Sequence, residues 1–371
     1  MLNYQKMYKN SLIPLTILLL LLINLSAQAE NNIKIEKIVD GLGVVWAMDF
    51  IDESHLIFTQ RDGFLGILNL NNKKIKQIKG LPNIMVAGQG GLMDVKIHEE
   101  YIYFTYVKDL NGKGITVLSR AKLINDKLVD WQDLLLTKSA TDTNRHFGSR
   151  ITFDNNNHIF FSVGDRGVRA NGQNLKTHAG SIIRLNLDGT VPADNPFVGD
   201  KNKLDEIFSF GHRNPQGLFY DKKRDILFSV EHGPRGGDEI NIIKKGENYG
   251  WATVSKGKEY TSFSYVGDYR SKKGMRDAIK VYIPSIAPSS LMVYSGKLIK
   301  KWQDDLLIGS LVLTHINKIT FLNKNFTKSQ EIRLLKNLNQ RIRDVTESPQ
   351  GFICFSTDSG DIYKISPLTP L

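Results

Sequence analysis

The sequence has a single cysteine, Cys354, in 371 residues. No intrachain disulfide is open to it, so a chain of this length must be held by a large buried core. It also lacks the uninterrupted apolar stretch of ~20 residues that a spanning helix needs. The run from Ile13 to Leu25 is shorter, and Pro14 and Asn24 interrupt it. Lys6 and Lys9 precede that run and Ala27-Gln28-Ala29 follows it, which is the layout of a cleavable export signal. Cleavage would make 1–29 the signal and leave 30–371, beginning at Glu30, as one mature domain in the periplasm or outside the cell. No cysteine stands just after the apolar run, which argues against a lipoprotein anchor, and no stable membrane insertion is expected after cleavage.

Blocks of like charge are missing too. Once Lys6 and Lys9 are set aside, 47 of the 49 basic residues remain against 38 acidic ones. They are dispersed as Lys73-Lys74, Lys222-Lys223, Lys244-Lys245 and Lys272-Lys273 rather than gathered beside stacking aromatics, so nucleic acid is set aside as a partner. No Pro/Gly/Ser-rich linker divides residues 30–371, and composition marks no domain boundary.

What is present is repetition. An apolar strand, a polar turn, a second strand ending in a loop and a further apolar strand recur six times. The second strands read Leu56-Ile57-Phe58-Thr59, Tyr101-Ile102-Tyr103-Phe104, His158-Ile159-Phe160-Phe161-Ser162, Ile226-Leu227-Phe228-Ser229, Leu306-Leu307-Ile308 and Phe352-Ile353-Cys354-Phe355. Six such units predict an all-β, six-bladed β-propeller of four-stranded antiparallel blades, in which radial repetition protects the sheet edges. Ile33 to Val39 precedes the first unit and is expected to close the ring as the outer strand of the last blade. Strand patterning alone also permits a β-sandwich; recurrence of one unit favours the ring.

In a propeller the loops at one end converge on the central channel, so polar motifs just outside strands become candidates for one shared site. Those motifs are Gly88-Gln89-Gly90-Gly91, Arg145-His146-Phe147-Gly148, Gly164-Asp165-Arg166-Gly167, Gly211-His212-Arg213-Asn214-Pro215, Glu231-His232-Gly233-Pro234 and Arg341-Ile342-Arg343-Asp344. Singly each reads blandly: Gly-Asp-Arg-Gly is an ordinary turn, and a histidine after a strand is more often structural. Arg341 and Arg343, two apart on a strand, face one side and suit an anion.

Together the clusters resemble the glucose/sorbosone dehydrogenase family of soluble quinoproteins, especially its aldose sugar dehydrogenase branch, from about Val45 to Pro367. The most specific stretches are Gly211-His212-Arg213-Asn214-Pro215-Gln216-Gly217, Glu231 to Glu239, and Asn248-Tyr249-Gly250-Trp251. The resemblance implies a six-bladed propeller that oxidises aldoses to lactones with pyrroloquinoline quinone (PQQ) and Ca²⁺, passing electrons to an acceptor the sequence does not identify. It implies PQQ contacts at Gln89, Gln173, Arg213, Asn214, Arg341 and Arg343, and catalytic roles for His146 as general base and Arg213 beside the quinone oxygen. Calcium would be held by the carbonyls of Gly233 and Pro234, with a further structural calcium at Glu239 and the Tyr249 backbone. Two positions depart from relatives: Val312 stands where many carry a lysine toward PQQ, and Ile283 where some carry an aromatic residue. Two other classes stay open, a calcium-dependent lactonase-like hydrolase propeller and a non-catalytic carbohydrate-binding propeller.

Overall fold

The computed structural model describes residues 32–368; the proposed export signal lies outside them. Twenty-four strands form six antiparallel four-stranded sheets. Blades 1 to 5 cover residues 45–77, 92–136, 151–210, 215–282 and 288–334 in chain order. Blade 6 combines the strands of 342–367 with Ile33–Val39, which pairs Ile33 with Pro367 and Ile35 with Ile365. The predicted closure of the ring by the first strand is thus observed. The first strand of every blade packs against the first strands of the two neighbouring blades, in an unbroken circle around the axis.

Burial follows from that circle. Second strands such as His158–Val163 and Ile353–Thr357 lie between neighbouring blades with both faces covered, so they are apolar almost throughout. The core is accordingly six apolar clusters, one at each interface between blades. Outer strands such as Ile75–Gln77 and Ser329–Leu334 are half exposed and carry charge. Cys354 is fully buried in the cluster between blades 6 and 1, where burial pushes its thiol up to about 12.

The channel is blocked midway by Arg150, 4% exposed. Its guanidinium bonds Asp94 Oδ1 of blade 2 at 3.2 Å and Asp344 Oδ1 of blade 6 at 3.0 Å. It also donates to the carbonyls of Trp46 in blade 1 (3.3 Å), Gln216 in blade 4 (2.9 Å) and Ser289 in blade 5 (2.8 Å). One residue of blade 3 thereby touches all five other blades. Beyond it, at the end where the inner strands finish, lies a cavity of about 260 Å³ lined by Asp49, Lys96, Phe153 and Glu347.

Candidate active site

The loops that enter the inner strands and those that leave the second strands lie at the same end of the antiparallel blades. Gln89, His146, Arg213 and Arg341 lie in the former, Asp165, Gly233 and Asp358 in the latter. One hydrogen-bonded group results. Gln89 Oε1 accepts the His146 backbone N–H at 2.8 Å, and Asn214 Oδ1 accepts that of Gly148 at 3.2 Å. Asp165 donates its backbone N–H to the Arg213 carbonyl at 2.7 Å.

The His146 ring is oriented by Asp165, whose carboxylate was not singled out from sequence. Nδ1 lies 2.6 Å from Asp165 Oδ1, and because a carboxylate accepts, Nδ1 carries the proton and Nε2 the lone pair. Asp165 is fixed in turn by the Trp251 indole N–H on Oδ2 at 2.7 Å and by the Gly167 N–H on Oδ1 at 2.7 Å. Burial alone would raise the Asp165 carboxyl, but the bonds from His146 and Gly167 and the charge of Arg213 hold it below the usual range. Burial pushes the His146 imidazole below its ordinary value; the bond to Asp165 opposes this, and the charges of Arg213 and Arg145 add to the lowering. His146 is therefore a neutral base near pH 7. The acid limb of a kcat/KM profile that needs it lies below 6.5, its unperturbed value. Asp165→Asn removes the contact that raises the imidazole, so the limb moves further to acid while the plateau falls. A steady-state pH profile checks both, and a limb displaced toward neutrality contradicts the assignment.

The other two candidate bases are committed elsewhere. His212 is fully buried, with Nδ1 3.0 Å from Glu231 and Nε2 2.9 Å from Ser209. His232 donates from Nε2 to the Pro288 carbonyl at 2.8 Å, and burial beside Arg213 pushes it down to about 3.

Arg213 is 8% exposed, stacks 5.3 Å over Trp251 and donates to the His232 carbonyl at 3.2 Å. No carboxylate pairs with its guanidinium among the described residues. Arg341 and Arg343 converge on a single carboxylate, Asp358, at 2.8 and 2.7 Å, so two cations share one charge. The site thus retains positive charge that a polyanionic ligand would neutralise. Gln173 is less free: its amide bonds Asn248 at 3.0 and 2.8 Å and the Trp251 carbonyl at 2.7 Å, which props Trp251 under Arg213. Val312 and Ile283 are 43% and 69% exposed at the rim.

Gly233, Pro234, Glu239 and Tyr249 line one cavity of about 20 Å³, together with Arg213, Glu231 and His232. Glu231 and Glu239 are cross-strand partners, and burial plus the neighbouring Glu231 charge push Glu239 up to about 8. A half-buried carboxyl that keeps its proton above the usual carboxylate range, on one small cavity with Gly233 and Pro234, is a donor that a hard cation fits.

Comparison with known proteins gives the family. Residues 42–364 match the family model described as glucose/sorbosone dehydrogenase. The chain belongs to that family. It is 32% identical to the aldose sugar dehydrogenase YliI of Escherichia coli, over 91% of this chain and 94% of that one. It is 26% identical to quinoprotein glucose dehydrogenase B of Acinetobacter calcoaceticus, over 91% of this chain and 88% of that one. The crystal structure of the soluble E. coli aldose sugar dehydrogenase in its apo-form superposes with a TM-score of 0.86, covering 90% of this chain and 99% of that one.

Proposed function

We propose that this member of the family is a PQQ-dependent aldose sugar dehydrogenase that uses calcium and works in the periplasm. The observation that carries the reading is the meeting of an oriented neutral base, His146, with the incompletely neutralised arginines Arg213, Arg341 and Arg343 at one channel mouth. Arg341 and Arg343 would hold carboxylates of the quinone, Arg213 would face its reacting oxygen, and Gln89 and Asn214 would complete the seat. The carbonyls of Gly233 and Pro234 would hold the catalytic calcium, with Glu239 and Tyr249, on the wall of the same small cavity, as further donors to that one ion rather than to a second. PQQ supplies a two-electron acceptor for the C1 hydrogen and calcium a Lewis acid beside it, so that an aldose leaves as its lactone. The protein's own part is to take the C1 hydroxyl proton at His146 Nε2, keep that ring in line through Asp165, and place positive charge where negative charge develops.

A calcium hydrolase would want free inward carboxylates from several blades. At this mouth Asp165 is committed to His146, Glu231 to His212, Asn241 and Arg213 N–H, and Asp358 to two arginines. Purified protein titrated with PQQ and Ca²⁺ is expected to bind saturably and to gain dye-linked activity on aldoses. Replacing Arg341 and Arg343 together by alanine is expected to abolish both. Absence of saturable binding in wild type would favour the carbohydrate-binding alternative. The export reading predicts Glu30 as the N-terminus of protein recovered from the periplasm, read by intact mass; Met1-containing protein in the inner membrane would overturn it.

A further inference from the structure

Arg166 is the largest fully buried side chain, and no carboxylate pairs with it among the described residues. Its acceptors are all backbone carbonyls: Thr143 at 2.8 Å, Gly114 at 3.2 Å and Arg145 at 3.4 Å. Its guanidinium lies 3.6 Å over the ring of Phe147, and its Nε has no partner. Burial lowers it to about 10, with nearby Asp165 opposing. A desolvated guanidinium offset by neutral acceptors alone is costly, and stability by itself gives no reason to keep it.

What it touches supplies one. Arg145 and Phe147 are the residues on either side of His146, which sits at φ +57°, an uncommon conformation for a non-glycine residue that local contacts must support. The grip is mutual, since the hydroxyls of Thr143 and Thr141 donate to the Arg166 carbonyl. Next to it a Cβ on Gly164 would meet the His146 carbonyl at 2.3 Å, so the two loops lie in contact. Thus the turn 164–167 holds the imidazole through Asp165, and through Arg166 it holds the backbone before His146 and the Phe147 ring after it.

We propose that Arg166 is a positioning residue: its guanidinium fork grips the carbonyls of 143 and 145 before His146 and stacks on the Phe147 ring after it, imposing the left-handed turn that delivers Nε2 to the sugar. A fork is needed because the carbonyls of 114, 143 and 145 are reached from two different guanidinium nitrogens, and a lysine ammonium satisfies fewer of them from one point. The inference rests on the sugar dehydrogenase reading for its catalytic consequence, but its structural claim holds without the cofactor.

The test compares wild type with Arg166→Lys and Arg166→Ala, each melted and each titrated with PQQ in calcium buffer. Arg166→Lys is expected to bind PQQ like wild type and to lose kcat by about 10- to 100-fold, the scale of a misplacement near 1 Å, with KM little changed. In unliganded protein labelled with ¹⁵N-histidine, the downfield Nδ1–H resonance of His146 bonded to Asp165 is expected to broaden or move upfield. Millimolar guanidinium is expected to restore part of kcat in Arg166→Ala. If that variant does not fold, Thr141→Val/Thr143→Val, which loosens the same clamp from its exposed side, is expected to give a smaller fall in kcat and the same resonance change. Loss of melting temperature with an unchanged His146 resonance and unchanged kcat of the folded fraction would overturn the proposal and make Arg166 a packing residue. A wild-type protein without PQQ-dependent aldose oxidation would instead sink the enzymatic reading, leaving the resonance to decide the clamp.

Discussion

Replacing His146 by alanine is expected to lower kcat for aldose oxidation by ~10²–10⁴-fold, the contribution typical of a positioned general base. PQQ binding should survive, because the cofactor's carboxylates are assigned to Arg341 and Arg343, which meet at Asp358 rather than at His146. The melting temperature should change little: the His146 side chain is 12% exposed, belongs to no apolar cluster, and makes its one hydrogen bond to Asp165. Turnover at the wild-type rate in a folded, PQQ-binding variant would show that the base is elsewhere. His232 would then come first, because Nε2 alone of its ring nitrogens is committed to a backbone carbonyl.

Arg150→Met should produce the largest loss of stability of any single substitution at the axis, about 3–5 kcal/mol, since removing one partner of a buried ion network leaves the others uncompensated. The exposed partners would be Asp94, with no accessible surface, and Asp344, 3% exposed, together with carbonyls from blades 1, 4 and 5. The deficit has a predictable pH dependence. Burial raises the Asp344 carboxyl, and Arg150 is the first of the groups that lower it again. Without Arg150 that carboxyl rises further above its unfolded value, the native state binds more protons than the unfolded one, and stability increases as pH falls. Urea titrations at pH 7 and pH 5 should show a smaller gap between variant and wild type at the lower pH. An equal gap at both would mean that Lys96, rather than Arg150, neutralises the pair.

Much of this architecture was legible in the sequence, for a physical reason. Strands covered on both faces must be apolar along their whole length, so the second strand of each blade stands out, and six of them announce six blades. Ile33–Val39 could be placed because it had no hairpin partner of its own. The outer strands were harder: Lys127–Leu136 is largely half-buried or exposed, so it lacks the continuous apolar character that marks the second strands. At the site, His146 and the arginines were visible as motifs, whereas Asp165 and Arg166 looked like any Gly-Asp-Arg-Gly turn. Their importance lies in what the turn faces across the channel mouth, and a local signature carries no record of that. Asp358, which gathers two arginines 15 and 17 residues upstream, was hidden for the same reason.

Because blade 6 is assembled from Ile33–Val39 and from residues 342–367, its last edge is sealed by segments synthesised before and after all the other blades. No partial product of translation can own a finished ring. The pairing of Ile33 with Pro367 is among the most sequence-distant contacts of the described residues, and contacts of that kind form late and slowly. Until then the apolar flanks of blades 1 and 6, including Met48, Phe58, Phe352 and Cys354, face each other across an open gap. A chain in that state is vulnerable to a neighbour supplying the missing edge, so any molecule made without residues 33–39 should associate with its own kind rather than remain a monomer.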